Sequence, residues 1–505
     1  MSRWGFGCAL AALLCALPAA ATTIVRVADP DLVAQAPLVV VAEVDARGPA
    51  ASGAAATDYR FSVERVLKGT VGPELTVTVP GGMGRDGLTR RVYGAPSFAP
   101  GERAILFLEP LAGGDYRILH LMQGAFREVR REGRSLALRN LADVAEVRLD
   151  GGTVESAPAE AAEPVRDFEA FARWIGDAAR GAAPAADYRV ALPAAEEGPG
   201  RVAAPFTLFR DEDDDTLLRW FEFDTGGSVP WLFATGGQPG VPGGGQADFQ
   251  AALQAWNADA QTPIRLVFTG QSAPSPFNEF DDKNLILLND PFDELTDLGP
   301  SCSGTLALGG SAYRQIARTF RGQTYYPFEE GDIVVNDGLE CFFVESPNAR
   351  KAAEELFGHE LGHTIGIDHS CGDNDGTDPG CSNALLSDAL MRAFIHDDGR
   401  GARLNSDDLA AARALYAQGP STPGSVPTAP SNLTAVAVSA SEIELAWQDN
   451  SANETLFAVE VSLLGGSFVE VGTVPANTAG AIVENLAPAT GYLFRVRARN
   501  GVGTS

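Results

Sequence analysis

The spacing of apolar and polar positions changes several times along this chain, and each change marks a unit. From Thr22 to Asp150, short β-type runs recur, among them Leu38–Val44, Phe61–Val66, Leu75–Val79 and Ala104–Leu108, broken by Gly, Pro and Asp. These runs predict strands, so residues 22–150 are expected to form an all-β domain. In 151–205 a Gly-, Ala- and Glu-rich start leads into Phe168, Phe171, Ala172 and Ile175, spaced to put one apolar face on a short helix. The Ala-, Gly- and Pro-rich run 181–205 then reads as a linker.

Residues 206–418 mix the two periods. Phe249, Leu253 and Trp256 share a helix face, while Ile264–Phe268, Leu285–Leu288 and Ile333–Val335 read as strands, an α+β or α/β arrangement. A long helix is expected from Ser346 as N-cap, with Pro347 in its first turn, through His363. The last helix should open at Ser406, with Asp407 and Asp408 near its positive end, and run through Leu409 and Ala412 to Tyr416. A Pro-, Ser- and Thr-rich linker, 419–429, follows.

Beyond it, Leu433–Val438, Ile443–Trp447, Ala458–Ser462, Phe468–Val471 and Tyr492–Ala498 alternate like sandwich strands. With Pro430, Trp447 and the Leu486, Pro488, Thr490, Tyr492 series, residues 430–505 resemble a fibronectin type III module. The resemblance implies one more strand after Ser505, so the module reads as incomplete.

Composition narrows the function. The chain has 505 residues, about three domains' worth, and 38 Lys and Arg against 66 Asp and Glu give a net charge of −28. An acidic excess of this size argues against nucleic acid or anionic lipid as partner. It is also unevenly placed: residues 22–150 hold 16 basic and 16 acidic side chains, whereas 205–419 hold 13 and 34. That concentration suggests oxygen-ligated cations near the third unit, or a cleft preferring cationic or neutral substrates.

Residues 1–21 read as a secretory signal peptide, with Arg3, an apolar run from Phe6 to Leu17, Pro18 and the small residues Ala19–Ala21, and cleavage is expected after Ala21. No later run suggests a membrane span. In the oxidising compartment this implies, disulfides are expected among Cys302, Cys341, Cys371 and Cys381, favoured as Cys302 with Cys341 and Cys371 with Cys381.

The chemistry concentrates in the string HELGHTIGIDH, with His359, Glu360, His363, Gly366 and His369. On a helix, positions i and i+4 lie one above the other, so His359 and His363 point to one place. Gly366 permits a left-handed exit that turns His369 back toward it. Three nitrogen ligands with a fourth position open are the catalytic Zn2+ arrangement. Zinc lowers the pKa of a coordinated water to about 7, and Glu360 is placed to take its proton and pass it on.

On this motif the chain resembles the metzincin zinc endopeptidases, most closely the matrixin-like branch. The resemblance implies that Met391 forms a Met-turn beneath the metal and that Asp332–Asn336 is the cleft's edge strand, pairing with extended substrate. The fold is therefore expected to be multidomain: an N-terminal all-β domain, an α+β metzincin-like unit with a mixed sheet and long active-site helix, and a C-terminal β-sandwich. Ala393 stands where some branches carry a ligating tyrosine. With no cysteine between Thr22 and Ser301, a cysteine-switch latency is excluded, and any inhibition by residues 22–150 as a pro-segment must be steric.

Other groups read more plainly. Asp373, Asp375 and Asp378 are a candidate Ca2+ loop that lacks the twelve-residue pattern. Asp211–Asp215 reads as a solvated charge run, His120 as a structural histidine and His396 as a surface group or one that supports a ligand. Two functions follow. One is a secreted zinc metalloendopeptidase acting on proteins or peptides; the other is a secreted adhesion or matrix-binding protein whose zinc domain is structural or inert, with the fibronectin-like module binding matrix or a cell surface.

Overall fold

The computed structural model describes residues 22–505 except 85–86, 93, 132, 140–143, 151–152, 156–163, 183–184, 191–200, 204–205, 212–213, 300–301, 322, 372–383, 393–394, 397, 418–425, 452, 464–467 and 501–502. The signal-like segment 1–21 lies outside the described residues, as do Cys381, Asp373, Asp375, Asp378 and Ala393. The chain is multidomain and rich in β-structure.

In the N-terminal unit, Leu38–Pro49 pairs with Ala56–Lys68, which pairs with Glu74–Pro80; Tyr116–Ile118 joins that strand to Arg103–Pro110, which returns to the first. These pairings close a five-stranded barrel. Its interior takes alternate residues, Leu38, Val40, Ala42 and Val44, with Phe61 and Leu106. The intervening Val39 and Val41 are also buried, which a one-faced sheet would not explain. They pack under two helices, Asp29–Gln35 and Phe168–Ala179, together with Phe107 and Phe126.

This changes the expected all-β unit and its boundary. The predicted apolar helix face, Phe168, Phe171, Ala172 and Ile175, is fully buried in the N-terminal core rather than lying on a connector. Arg166, just before the helix, donates to Asp29 through Nε at 3.1 Å and Nη2 at 2.7 Å, and Tyr188 donates to the same carboxylate at 2.8 Å. The unit thus extends to about residue 190. Farther along the expected linker, Arg201–Ala203 pairs with Gly480–Glu484 of the C-terminal sandwich.

The central unit is built on a mixed sheet. Leu266–Ser272, Val229–Ala234, Leu285–Leu287 and Gln323–Val335 are parallel neighbours in that order, and Gly304–Tyr313 lies antiparallel to the last. Helices Gln246–Trp256, Ala349–Thr364 and Ser406–Tyr416 share a core with one face. On the other face Leu285, Leu287, Leu308 and Val334 pack against Ile24, Val92, Leu121 and Met122 of the N-terminal unit.

The expected edge strand, Asp332–Asn336, is corrected: its residues up to Val335 belong to a strand hydrogen-bonded on both sides. Gly304–Tyr313 is the outer strand contributed by residues 206–418, and N-terminal segments cover it. Thr22–Val25 pairs antiparallel with Gly304–Leu308, and Thr89–Val92 antiparallel with Gly310–Tyr313. Cys302, just before this strand, is bonded to Cys341 in the helix Glu340–Glu345, and Cys371 is also disulfide-bonded.

The C-terminal sandwich sets Ser431–Ala437, Ile443–Gln448 and Gly480–Glu484 against Leu456–Leu463, Val469–Pro475 and Tyr492–Arg499 over Trp447, Phe457 and Val496. No helix among the described residues is long and apolar enough to cross a membrane.

Asp29→Ala removes the bidentate acceptor of a buried guanidinium and should cost about 3–5 kcal/mol, read as a lower denaturant midpoint of the N-terminal unit. An unchanged midpoint would show that this pair does not tie the helix Phe168–Ala179 to the barrel.

Candidate metal centre

The helix Ala349–Thr364 is capped by Asn348, whose side chain accepts from the Lys351 N–H at 3.3 Å. Ser346, the expected cap, instead ends the preceding short helix in extended conformation, φ −63° and ψ 135°. Pro347 explains the shift, because a residue before proline is disfavoured in the helical region. From Leu356 to Thr364 every residue of the helix is buried. Trp256 Nε1 donates to the Gly358 carbonyl at 2.8 Å and Trp220 Nε1 to that of Thr364 at 2.9 Å.

His359 and His363 project from this helix and His369 arrives from beyond its end. Gly366 makes the turn with φ +94°, and a β-carbon there would come within 2.8 Å of the Leu218 carbonyl oxygen. The segment behind it is held by Phe209 N–H to the Gly366 carbonyl at 3.0 Å, Asp368 N–H to the Thr207 carbonyl at 3.1 Å, and Thr207 Oγ1 to the His369 carbonyl.

The three Nε2 atoms converge: His359 to His363 is 2.9 Å and His359 to His369 is 3.1 Å. Among the described residues these are the cluster that could hold a metal ion. The opposite ring nitrogens face carbonyls, His359 Nδ1 at 2.9 Å from Leu390 O and His363 Nδ1 at 2.9 Å from Ile367 O. Each Nδ1 must donate there, which leaves both Nε2 atoms as bare lone pairs facing each other. Burial pushes His359 down to about 3 and His363 well below its ordinary value, so both are neutral. Unprotonated nitrogens packed this closely repel unless a cation lies between them. The residues therefore fit zinc, as three convergent nitrogens of which two have tautomers fixed by carbonyls.

Met391 is fully buried, and a β-carbon built on Gly362, in the last turn of the helix, would lie 2.3 Å from its sulfur. Its neighbourhood is tied to both ligand segments. The Leu390 carbonyl accepts from His359, the Met391 carbonyl accepts the Ser370 N–H at 2.7 Å, and both backbone N–H groups donate to Asp408 at 2.9 Å.

Glu360 is fully buried beside Gly309: a β-carbon at 309 would stand 3.2 Å from Glu360 Oε2. His396 is not a surface group. Its Nδ1 lies 2.8 Å from Glu355 Oε1, one helical turn before His359, and both residues are buried. His120 is buried with Nε2 2.7 Å from Gln35 Oε1, and burial pushes it down to about 3, a structural placement. The run Asp211–Asp215 is partly enlisted, Asp211 Oδ2 accepting from Tyr313 and Gln315 at 2.9 Å each. Sequence reading missed Thr207, Glu355 and Asp408, whose contacts to this site span 18 to 162 residues and leave no local pattern.

Zinc added to metal-depleted chain should raise the melting temperature, because the folded state alone assembles the three nitrogens; at 100-fold over Kd the gain is about 2.7 kcal/mol. His363→Ala should cancel the rise, and an equal rise in that variant would place the ion elsewhere. Gly362→Ala, forced against Met391, should cost about 1–3 kcal/mol in thermal unfolding.

Comparison with known proteins places one segment. Residues 428–505 match the fibronectin type III domain family. No curated protein matches the sequence. Among solved structures, titin kinase with its flanking domains is 29% identical over 16% of this chain and 16% of that one, with a TM-score of 0.15. The FN1–FN3 domains of chicken CNTN1 are 21% identical over 16% of this chain and 29% of theirs, TM-score 0.15. The fn3 domain of human collagen alpha-1(XX) chain is 21% identical, covering 17% of this chain and 82% of that one, TM-score 0.15. The carboxy-terminal residues 428–505 are a fibronectin type III domain.

Proposed function

We propose that residues 206–418 are a zinc-dependent endopeptidase of the metzincin type, matrixin-like branch, secreted and carrying a fibronectin type III domain for binding matrix or a cell-surface ligand. The observation that carries this reading is the convergence of three Nε2 atoms from buried imidazoles, those of His359 and His363 neutral, next to a buried carboxylate. His359, His363 and His369 would hold the ion, which supplies Lewis-acid polarisation of a carbonyl and an activated water when bound.

The protein's part is positioning and proton transfer. Glu360 adjoins the first ligand on the helix, so its carboxylate can accept a proton from the attacking water and return it to the departing amine nitrogen. Gly309 leaves the space this carboxylate occupies. The carbonyls of Leu390 and Ile367 fix the tautomers of His359 and His363, so neither ring need rotate as charge develops. Secretion is supported by the signal-like 1–21 segment and by the disulfide Cys302–Cys341.

The adhesion reading draws on the fibronectin type III domain and on the burial of the site. Against it, a structural zinc site is normally closed by four protein ligands, and the described cluster offers three.

Cleavage of a proteome-derived peptide library, before and after trace trypsin treatment, tests the reading. A zinc chelator should abolish cleavage, and Glu360→Ala should retain stoichiometric zinc while losing about 10²–10⁴-fold in rate. Normal turnover by a zinc-loaded Glu360→Ala variant would sink the mechanism.

A further inference from the structure

Arg90 belongs to the N-terminal unit, yet its side chain is held by residues of the central unit. Nη1 donates to Asp332 Oδ2 at 2.7 Å, and Nη2 donates to Glu330 Oε1 and, at 3.3 Å, to the Glu279 carbonyl. The guanidinium carbon lies 5.1 Å from the Phe277 ring centre and 4.9 Å from that of Phe280. Arg90 is 1% exposed, Glu330 2% and Asp332 6%. A planar fork between two carboxylates and two aromatic faces suits arginine over lysine.

The pocket is organised by the central unit itself. Glu330 Oε2 accepts the Asp281 N–H and Asp332 Oδ1 the Leu285 N–H, both at 3.0 Å, leaving Oε1 and Oδ2 turned to the guanidinium. Its position is set by strand register. Arg90 stands opposite Ala312 and Val92 opposite Gly310, on the strand whose next residue, Gly309, abuts Glu360. An extended peptide in that register would place its residue opposite Ala312 about 10 Å, three residues, before the position beside Glu360. The other half of the strand is taken by Thr22–Val25, and Gly309 lies between the two pairings. Glu360 and all three histidines are buried.

We infer that Glu330, Asp332, Phe277 and Phe280 form a recognition pocket for the arginine side chain of an extended peptide lying along Gly304–Tyr313, and that Arg90 fills it in cis as a pseudosubstrate that holds the site shut. The substrate side of this inference rests on the endopeptidase reading; occupancy of the pocket does not.

The test uses the full chain in a Glu360→Ala background, so that peptides survive, with Arg90→Ala and Arg90→Lys. The probes are the peptide GLTRRVY, the chain's own residues 87–93, and GLTARVY. Arg90→Ala should speed amide hydrogen exchange over Gly310–Tyr313 by about tenfold or more, with Arg90→Lys between it and the parent. GLTRRVY should restore protection at concentrations about tenfold below those GLTARVY needs. Unchanged exchange in both Arg90 variants, or equal action of the two peptides, overturns the inference.

With Glu360 restored, Arg90→Ala should cleave the library about tenfold faster than the parent, at bonds with arginine about three residues upstream. Peptide selectivity without cleavage by any form would refute the endopeptidase reading and leave the pocket standing. Equal cleavage by parent and variant, without arginine preference, would refute the pocket's role and leave the endopeptidase.

Discussion

One buried carboxylate organises the candidate metal centre. Asp408 accepts N–H groups from Leu390 and Met391 at 2.9 Å and from Asn405 at 2.8 Å, while Asn405 in turn caps the helix Ser406–Tyr416. A turn with both N–H groups claimed from one side presents its carbonyls on the other. There the Leu390 carbonyl orients His359 and the Met391 carbonyl holds Ser370, next to His369. Helix cap, Met391 turn and two of the three ligand segments thus share one charge. The other end of the same helix contributes as well, since Tyr416 Oη donates to the Ile365 carbonyl at 2.6 Å and accepts from Trp220 N–H at 3.1 Å. Metal ligands need placement to a fraction of an ångström, and long-range hydrogen bonds between rigid elements supply it.

A second constraint is the close approach of strand and helix. Gly309 and Gly331 mark where the outer strand, its neighbour and the buried helix come within reach of one another: a β-carbon would lie 3.2 Å from Glu360 at the first and 3.3 Å from Thr364 at the second, and on the helix Gly362 makes the same kind of room for Met391, whose sulfur would lie 2.3 Å away. Ser311 continues the contact through a 3.4 Å bond to the Thr364 carbonyl. A strand lying this close to the histidine-bearing helix is smooth and apolar, which would make it a liability if its edge were bare. The N-terminal unit covers that edge on either side of Gly309 and completes the sheet.

The convergence of the three histidines was legible because its geometry is local. His359, His363 and Gly366 act within one helix and one turn, and periods of 3.6 and a left-handed exit are written in adjacent residues. The strands of the barrel and the helix Phe168–Ala179 were legible for the same reason. What escaped was ownership. Phe168, Phe171 and Ile175 announce a helix without saying whose core they fill, and it is contacts distant in sequence, among them the Asp29–Arg166 pair, that assign it to the barrel. The edge strand was misplaced because Gly304–Tyr313, buried at every position, has no alternation to mark it, whereas Ile333–Val335 carries a strong β signal that belongs to an interior strand.

The uneven charge of the chain acquires a structural meaning from these contacts. Ion pairs that cross between the net-neutral N-terminal residues and the acidic central unit run from arginine to carboxylate: Arg90 to Glu330 and Asp332, and Arg117 to Asp293. They differ in weight. The Asp293 side chain is 75% exposed, so that pair is screened and contributes about 0–1 kcal/mol at most. Arg90 is desolvated together with two carboxylates, and burial drives Asp332 well above the usual carboxylate range with the guanidinium pulling against it. Withdrawing that cation leaves two acids buried side by side, a state that costs several kcal/mol unless another cation or water enters. At this one place the acidity of the central unit is a demand for a cation, and Arg90 of the N-terminal unit meets it from within the chain.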